Sequence, residues 1–451
     1  MFKRLLLIAV IAAIVAGAGV VAFALIPTKT RQIAAPAELD DKLVEAGRYV
    51  AVVSDCTACH TAPDGQPFAG GAPIASPIGA IYPSNITPDR ETGIGTVTLD
   101  GFDRLVRHGI TRRGITLYPA MPYPSYAKLS DADVVALYAY FMKGVAPVHA
   151  KNRKPDIPWP LSMRWPLGAW RKLFAPSPSE GPFDAARYPD PVVARGAYLV
   201  QGPGHCGTCH TPRAITLQEK GLDERSPTFL SGGQVIDGWV AVNLRGDASG
   251  LAAMSADDIV AALRTGRSPG RAVIGQPMKD VVVHSTQDMT DGDLRAIAAY
   301  LKTLAPGPAG PVNYVADSRT ADDLRAGKAS GRGAELYLDN CAACHRSNGK
   351  GAGAVFPAMA GNPTVLAGDP NSLIRLILVG GAMPSTSTAP SNLGMPAFGW
   401  RLSDEEVAQL VTFIRQSWGN SAPATDTAAV TRVRGKIEES KAKAPGEKTP
   451  G

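Results

Sequence analysis

The sequence has few aromatic residues and no long block of either charge. Aromatic side chains account for 6% of the 451 residues, and 46 Lys and Arg residues stand against 40 Asp and Glu residues. Because nucleic-acid binding favours clustered basic residues, this dispersed charge argues against a nucleic-acid partner. Apolar residues at 45% and charged residues at 19% are globular proportions, so the chain as a whole is neither disordered nor collagen-like.

The common enzyme fingerprints are also missing. The sequence contains no Rossmann or Walker loop and no serine–histidine motif, and the glycines Gly349, Gly351 and Gly353 follow no strand-like segment. We therefore expect no substrate chemistry on this chain. The 38 prolines and 47 glycines predict extensive loops.

No cysteine falls outside one repeated pattern, C-x-x-C-H. In this pattern two thiols bond to the vinyl groups of a haem and the adjacent histidine ligates its iron. Three copies predict three covalently bound haem c groups. The copies are Cys56-Thr57-Ala58-Cys59-His60, Cys206-Gly207-Thr208-Cys209-His210 and Cys341-Ala342-Ala343-Cys344-His345.

Other uses of paired cysteines fit the sequence less well. A thioredoxin-like pair needs a βαβ pattern around it, and a Cys₂His₂ zinc site needs a second histidine a few residues on. Neither accompanies any copy. Structural disulfides between such close cysteines would close loops too short to restrict the unfolded chain much.

An uninterrupted apolar run from Leu5 to Ile26 follows Lys3 and Arg4. Its length of about 33 Å as a helix is enough to cross a bilayer and exceeds a usual signal core, which favours an uncleaved anchor. Ala22-Phe23-Ala24 nevertheless offers a signal-peptidase site. Either way, the basic amino terminus places the remaining chain on the periplasmic side of a bacterial inner membrane.

Two predicted helices recur around each cysteine pair. A short helix with a glycine, Gly47, Gly196 or Gly333, precedes the pair, and the small residue would permit close helix crossing. A second helix closes each unit, with Ser or Thr as its N-cap, acidic residues in its first turn and an apolar residue before the cap. These caps are Ser130, Thr290 and Ser403.

A methionine in a proline-braced, irregular segment is expected to supply the second axial ligand of each iron, because thioether ligation suits an electron carrier. The three candidates are Met121, Met278 and Met395. Met383, followed by a proline, is the alternative to Met395. Met395 is preferred because it alone preserves the spacing between the ligand candidate and the closing helix that the other repeats show. Bis-histidine ligation is the other alternative, using His108, His149, His205 or His284; His205 could instead tune the haem beside it.

These patterns predict a mainly α chain: three tandem class I cytochrome c domains after an N-terminal membrane anchor or signal segment. The linker between the first two domains is rich in proline, tryptophan and basic residues. We expect it to be an extended strap, with a surface facing the membrane or a partner subunit as a further possibility. The C-terminal tail is expected to be polar and mobile. The predicted segments are 1–28 (anchor or signal), 40–146, 186–306 and 324–419 (domains), 147–185 and 307–323 (linkers) and 420–451 (tail).

Several stretches resemble the triheme cytochrome c subunit of bacterial membrane-bound alcohol, aldehyde and gluconate dehydrogenases. The likeness runs from about Leu43 to Trp418, although Val242 and Arg245 stand where a proline and a threonine are expected. The long apolar amino terminus looks more like the cytochromes of molybdenum-hydroxylase dehydrogenases. The similar stretches are 70–74, 84–89 with 92–95, 117–123, 238–239 with 243–244, and 356–362.

The resemblance implies that this chain takes electrons from a separate dehydrogenase subunit and passes them to ubiquinone or a terminal oxidase. That partner would be a molybdenum hydroxylase, a quinoprotein or a flavoprotein. Three irons with both axial positions filled could relay electrons but could not bind substrate. A peroxidase-like haem enzyme and an independent membrane-anchored electron carrier are the alternatives.

Overall fold

The computed structural model describes residues 2–28, 30, 32–178, 183–308, 314–353 and 355–443. The chain is mainly helical and divides into two compact units. The first comprises residues 1–188 and 198–205, and the second comprises residues 189–197 and 206–451.

The first unit contains seven helices in its described part, together with a π turn at Tyr140–Gly144 and a 3₁₀ turn at Ala185–Arg187. The helices are α1 Phe2–Leu25, α2 Asp41–Val53, α3 Cys56–His60, α4 Leu99–Val106, α5 Tyr123–Tyr126, α6 Asp131–Ala139 and α7 Trp165–Phe174. The next helix, α8 Pro191–Gln201, begins in the second unit and ends in the first. Helix α1 is long and apolar enough to span a membrane, and a signal sequence would meet the same test.

The described part of the second unit holds eleven further helices, a 3₁₀ turn at Thr286–Asp288 and three short antiparallel strand pairs. The helices are α9 Gly207–His210, α10 Ala256–Thr265, α11 Met278–His284, α12 Asp291–Thr303, α13 Arg319–Arg325, α14 Arg332–Asn340, α15 Ala342–His345, α16 Pro363–Leu366, α17 Asn371–Val379, α18 Asp404–Gln416 and α19 Thr427–Lys443. The strand pairs are β1 Val235–Ile236 with β2 Trp239–Val240, β3 Arg267–Ser268 with β4 Ala272–Val273, and β5 Gly381–Ala382 with β6 Gly394–Met395.

The predicted helix crossings are present in each repeat. Gly47 of α2 lies against the Ala136 carbonyl of α6, and a Cβ at Gly47 would overlap that oxygen. Gly196 of α8 meets Ala296 of α12 in the same way, and Gly333 of α14 meets Gln409 of α18. The glycines let two backbones touch where any side chain would hold them apart.

The three closing helices begin as their sequences predict. Ser130, Thr290 and Ser403 each accept a hydrogen bond from the amide three residues on, at 3.1–3.2 Å. Ser403 and Glu406 complete a capping box. The apolar residues before the caps, Leu129, Met289 and Leu402, are buried.

The expectation of a mobile polar tail is wrong for residues 427–443. These residues form α19, which packs on α17 and α18. Val430, Val433 and Ile437 are buried in the same apolar cluster as the core of α18. Their spacing of three and four residues places them on one face of a helix, so the charged residues between them remain outside.

The linker after the first closing helix is also more regular than an extended strap. Residues 165–174 of this segment form α7, whose Gly168 and Arg171 are buried. Trp170 of α7 makes an edge-to-face contact with Tyr123, with ring centroids 6.4 Å apart. The strap expectation is therefore wrong for this stretch of the linker.

Candidate haem sites

Each C-x-x-C-H motif folds as about one helical turn after a longer helix. The turns are α3, α9 and α15, and they follow α2, α8 and α14. Asp55 and His205, which immediately precede the first cysteine of their motifs, have φ angles of 49° and 36°. This left-handed conformation separates the long helix from the motif turn.

The three motif histidines have equivalent hydrogen-bond partners. His60 Nδ1 donates to the Ser84 carbonyl oxygen at 2.7 Å, and His210 Nδ1 donates to the Val242 carbonyl oxygen at 2.7 Å. His345 Nδ1 lies 2.9 Å from the Pro357 carbonyl oxygen. Since a carbonyl can only accept, each Nδ1 must carry a proton.

This arrangement fits a haem iron. Burial lowers the pKa of His60, His210 and His345, and the backbone hydrogen bond opposes that shift only in part. A neutral imidazole protonated at Nδ1 has its lone pair at Nε2, which is the atom that binds a metal. A hydrogen bond to the remote ring nitrogen is the usual way in which a ligand histidine is oriented.

The six cysteines are all in the described part of the chain, and none forms a disulfide. Burial raises the pKa of Cys206 and of Cys341 to about 12. It also raises the pKa of Cys56. Disulfide exchange needs a thiolate, so the raised pKa of these three thiols disfavours a thiol-redox role. Among the described residues, no group of three or more His, Cys, Asp or Glu side chains is placed to hold a metal ion, which disfavours the zinc interpretation.

Two of the three candidate methionines share an apolar cluster with a motif cysteine. Met121 and Cys56 pack against the same core in the first unit, and Met395 packs against the core that contains Cys341. Only Met121 lies in an irregular segment as expected, because Met278 is the first residue of α11 and Met395 is the last residue of β6. All three side chains are partly buried.

Met383 and Met395 lie close together across one strand pair. Gly381 pairs with Met395 in the register of β5 and β6, and the Met383 amide donates to the Leu393 carbonyl oxygen at 2.9 Å. Met383 is buried, whereas Met395 is half-buried. In this register residue 395 lies diagonally across from residue 383, a separation that long side chains can bridge.

The histidines outside the motifs face protein groups or solvent. His205 Nε2 lies 3.3 Å from the Ser54 carbonyl oxygen, and its ring makes an edge contact with Tyr126. His108 is buried with its Nε2 3.7 Å from Asp103. His149 is exposed beside Asp89, and His284 is exposed at the end of α11.

The sequence analysis named the stretches that contain Asn85 and Asn243 but gave these residues no role in shaping the loops opposite the histidines. Asn85 Oδ1 accepts from the Thr87 amide at 2.9 Å, and Asn243 Oδ1 accepts from the Arg245 amide at 2.8 Å. Each asparagine directly follows the residue whose carbonyl orients a motif histidine. The signal was the repeated Asn-x-x-x-Asp pattern at 85–89 and 243–247. His210 contacts the backbone oxygen of residue 242 and not its side chain. A valine at this position can therefore orient the histidine as well as the expected proline.

Comparison with known proteins agrees with this geometry. Residues 330–418 match the cytochrome c family model. The chain is 53% identical over 401 residues to the alcohol dehydrogenase (quinone) cytochrome c subunit of Gluconacetobacter polyoxogenes, covering 88% of this chain and 85% of that protein. The chain belongs to the family of cytochrome c subunits of alcohol and gluconate dehydrogenases.

Two further relatives come from other dehydrogenases. The gluconate 2-dehydrogenase cytochrome c subunit of Pantoea cypripedii is 53% identical over 395 residues, covering 87% of this chain and 89% of the relative. The fructose dehydrogenase cytochrome subunit of Gluconobacter japonicus is 37% identical over 421 residues, covering 88% and 84%. Membership of this family of cytochrome c subunits implies electron transfer and covalently bound haem c.

Proposed function

We propose that this cytochrome c subunit is a triheme electron relay, with one haem c attached to each C-x-x-C-H motif. The observation that carries the proposal is the repeated histidine geometry, in which three imidazoles donate from Nδ1 to a backbone carbonyl. A haem bound at each motif supplies reversible one-electron exchange at its iron. The chain contributes the attachment, the oriented histidine and the loop opposite it.

The proposed ligand set follows the three repeats, each of which forms one cytochrome c domain. The two cysteines of each motif would hold a haem through thioethers, and its histidine and one methionine would ligate the iron. Apolar packing of Met121 with the core around Cys56, and of Met395 with the core around Cys341, supports two of these pairings. The proposed axial pairs are His60 with Met121, His210 with Met278, and His345 with Met395.

The proposed electron donor is a dehydrogenase catalytic subunit, and the proposed acceptor is ubiquinone or a terminal oxidase. The relatives are named as cytochrome subunits of alcohol, gluconate and fructose dehydrogenases, which supports a partner that oxidises alcohols or sugar derivatives. Helix α1 supports a location in the bacterial inner membrane with the haem domains in the periplasm. The partner's cofactor would be a molybdenum centre, a quinone or a flavin.

The haem count is tested on the full chain, expressed in cells that mature c-type cytochromes. We expect three haems per chain by pyridine haemochrome assay, a sharp reduced α-band and low-spin spectra. Cys341→Ala should reduce covalent haem to two per chain. Fewer than three haems in the parent chain would overturn the relay, and a high-spin haem with hydrogen peroxide turnover would favour a peroxidase.

The partner is tested by affinity purification of the tagged chain from its native membranes. We expect a dehydrogenase to co-purify and to reduce the haems when its substrate is added. Alcohols, aldehydes, gluconate and fructose should be supplied separately, because only the true substrate of the partner will reduce the haems and so raise the α-band. If the chain purifies alone from native membranes and no such reductant acts, the proposed relay from a dehydrogenase is wrong.

A further inference from the structure

Helix α7 packs on the C-terminal end of α1, within the first unit. Gly168 lies against the Ala24 carbonyl, which a Cβ at that position would overlap. Ala24 is buried, while nearly all the other described side chains of α1 are exposed. The C-terminal end of α1 therefore packs against the folded unit at Gly168, and we call this contact with α7 the seat of α1.

Two basic side chains of α7 complete this seat. The last carbonyls of a helix lack partners within it, and a cation beside them also favours the negative end of the helix dipole. Lys172 Nζ donates to the Phe23 carbonyl oxygen and, at 2.8 Å, to that of Ile26. Arg171 donates to the Thr28 hydroxyl. Helix α7 thus supplies a C-terminal cap for α1 from a distant part of the sequence.

The same segment is fixed to the first haem domain. Arg164 donates from Nε and Nη2 to the Thr116 carbonyl oxygen at 3.1 and 3.0 Å. Its guanidinium also lies 3.7 Å from the centre of the Tyr118 ring. With the Trp170–Tyr123 contact, these interactions hold α7 on the loop that carries Met121.

This segment exposes several large apolar side chains. Trp159 is 79% exposed and Leu173 is 64% exposed, and Leu161, Met163 and Trp165 are also exposed. A concentration of such side chains marks an interaction surface. The segment contacts α1 and carries exposed tryptophans, and tryptophan is enriched where a membrane meets water.

We propose that residues 159–173 form a platform that lies in the headgroup boundary of the bilayer and seats the end of an uncleaved α1. This inference rests on the proposed membrane position of α1, and it adds a second membrane contact made by the haem domain itself. Cleavage after Ala24 would remove Phe23 and Ala24, which make a large part of the contact with α7. The packing therefore favours retention of α1 over signal-peptide removal.

The lipid contact is tested on the full chain with its haems, reconstituted in phosphatidylcholine and phosphatidylglycerol vesicles. A phosphatidylcholine with a diazirine near the glycerol end of one acyl chain is photolysed, and labelled peptides are mapped by mass spectrometry. We expect labelling of α1 and of residues 159–173. The double variant Trp159→Ser, Leu173→Ser should lower labelling of that peptide about fivefold without changing haem content.

A matched control uses Trp400, which is equally exposed at 82% but belongs to the second unit. Trp400→Ser should leave the labelling of residues 159–173 unchanged. An unlabelled 159–173 peptide beside a labelled α1 would overturn the platform. Protection of that peptide only when a dehydrogenase is bound would assign the surface to a protein partner and would also overturn it. Haem count and redox spectra report separately on the relay.

The seat for α1 has its own test. Intact-mass and N-terminal sequencing of protein extracted from membranes should show that α1 is retained, whereas a mature chain that begins at Leu25 would overturn the inference. Lys172→Ala should increase hydrogen–deuterium exchange of the amides of residues 22–26 and 28 severalfold. Lys154→Ala, an exposed lysine of the same linker, should leave that exchange unchanged. Equal exchange in both variants would show that Lys172 does not cap α1.

Discussion

Arg434 Nη2 donates a hydrogen bond to the Leu402 carbonyl oxygen at 3.0 Å. The same guanidinium donates from Nε to Asp404 at 2.6 Å and from Nη1 to the Gly399 carbonyl oxygen at 2.7 Å. Arg434 belongs to α19, and Asp404 is the first residue of α18. The C-terminal helix therefore fastens the start of the closing helix in the third repeat.

In the first two repeats, the start of the closing helix is bound in the same way by an arginine that precedes that helix in the sequence. Arg107, the residue directly after α4, donates to the Leu129 carbonyl oxygen at 3.1 Å and to Asp131 at 2.8 Å. Arg264 in α10 donates to the Met289 carbonyl oxygen at 2.7 Å and to Asp291. The third repeat takes its arginine from the segment after the closing helix. This makes α19 a structural part of that repeat.

Arg434→Ala should destabilise the second unit by about 2 kcal/mol, because hydrogen bonds to charged groups contribute about 1.5–3 kcal/mol and Asp404 would lose its cation. Guanidinium unfolding of the haem-loaded chain, followed by helix circular dichroism, measures this change. Lys441→Ala is the control, since its ion pair with Glu438 is exposed and should contribute little. Equal unfolding midpoints for the two variants would show that α19 is not fastened through Arg434.

The stability supplied by Asp404 should depend on pH. Burial raises the pKa of Asp404, but hydrogen bonds from Thr431 and Arg434 outweigh burial and hold that pKa below its ordinary value. A carboxyl whose pKa is lower in the folded state stabilises fully above its unfolded pKa of about 3.9 and loses that contribution as the pH falls through the folded value. The free-energy difference between the parent chain and Asp404→Asn should therefore be constant above about pH 5 and shrink below about pH 4.

Unfolding titrations of both proteins at several pH values measure that difference. Comparing the two proteins at each pH cancels the titration of other carboxyl groups that behave alike in both. A difference that stays constant down to pH 3, or that grows on acidification, would contradict the lowered pKa of Asp404.

Gly196→Ala should destabilise the second unit by about 1–3 kcal/mol, since the added methyl would overlap the Ala296 carbonyl and force α8 from α12. Gly435→Ala is the matched control in α19, because nothing lies within 4 Å of its would-be Cβ. Removing a helical glycine there should stabilise by about 0.5–1 kcal/mol. Opposite shifts in the denaturant midpoint are expected, and a shift of the same sign in both variants would refute the close crossing.

Local rules were sufficient for the parts of the fold that depend on neighbouring residues. The cap at Ser403, its acidic first turn and the buried Leu402 follow from spacing alone, and the structure confirms them. The attachment motif is equally local, since its cysteines and histidine lie within about one helical turn. The glycine at 196 could be predicted because its position recurs in each repeat.

The errors occurred where distant segments meet. Helix α19 has few apolar residues among many charged ones, so Val430, Val433 and Ile437 gave a weak pattern without knowledge of the core that buries them. The prolines around α7 obscured its helical pattern in the sequence. Its contact with Ala24 joins residues that are far apart along the chain. In the same way, the pairing of β5 with β6 is what brings Met383 beside Met395, which no spacing rule reveals.

Met395→Ala should leave three haems attached but lower one of the three reduction potentials, because a thioether ligand raises the potential of a haem iron. The change should be a sizeable fraction of the roughly 0.8 V range that axial ligands set. Potentiometric titration followed at the α-band measures it. Met383→Ala, directly after β5, is the control and should move no potential comparably. If Met383→Ala lowered a potential and Met395→Ala did not, the sixth ligand of the third haem would be Met383, and the register of β5 and β6 would present that thioether to the iron instead.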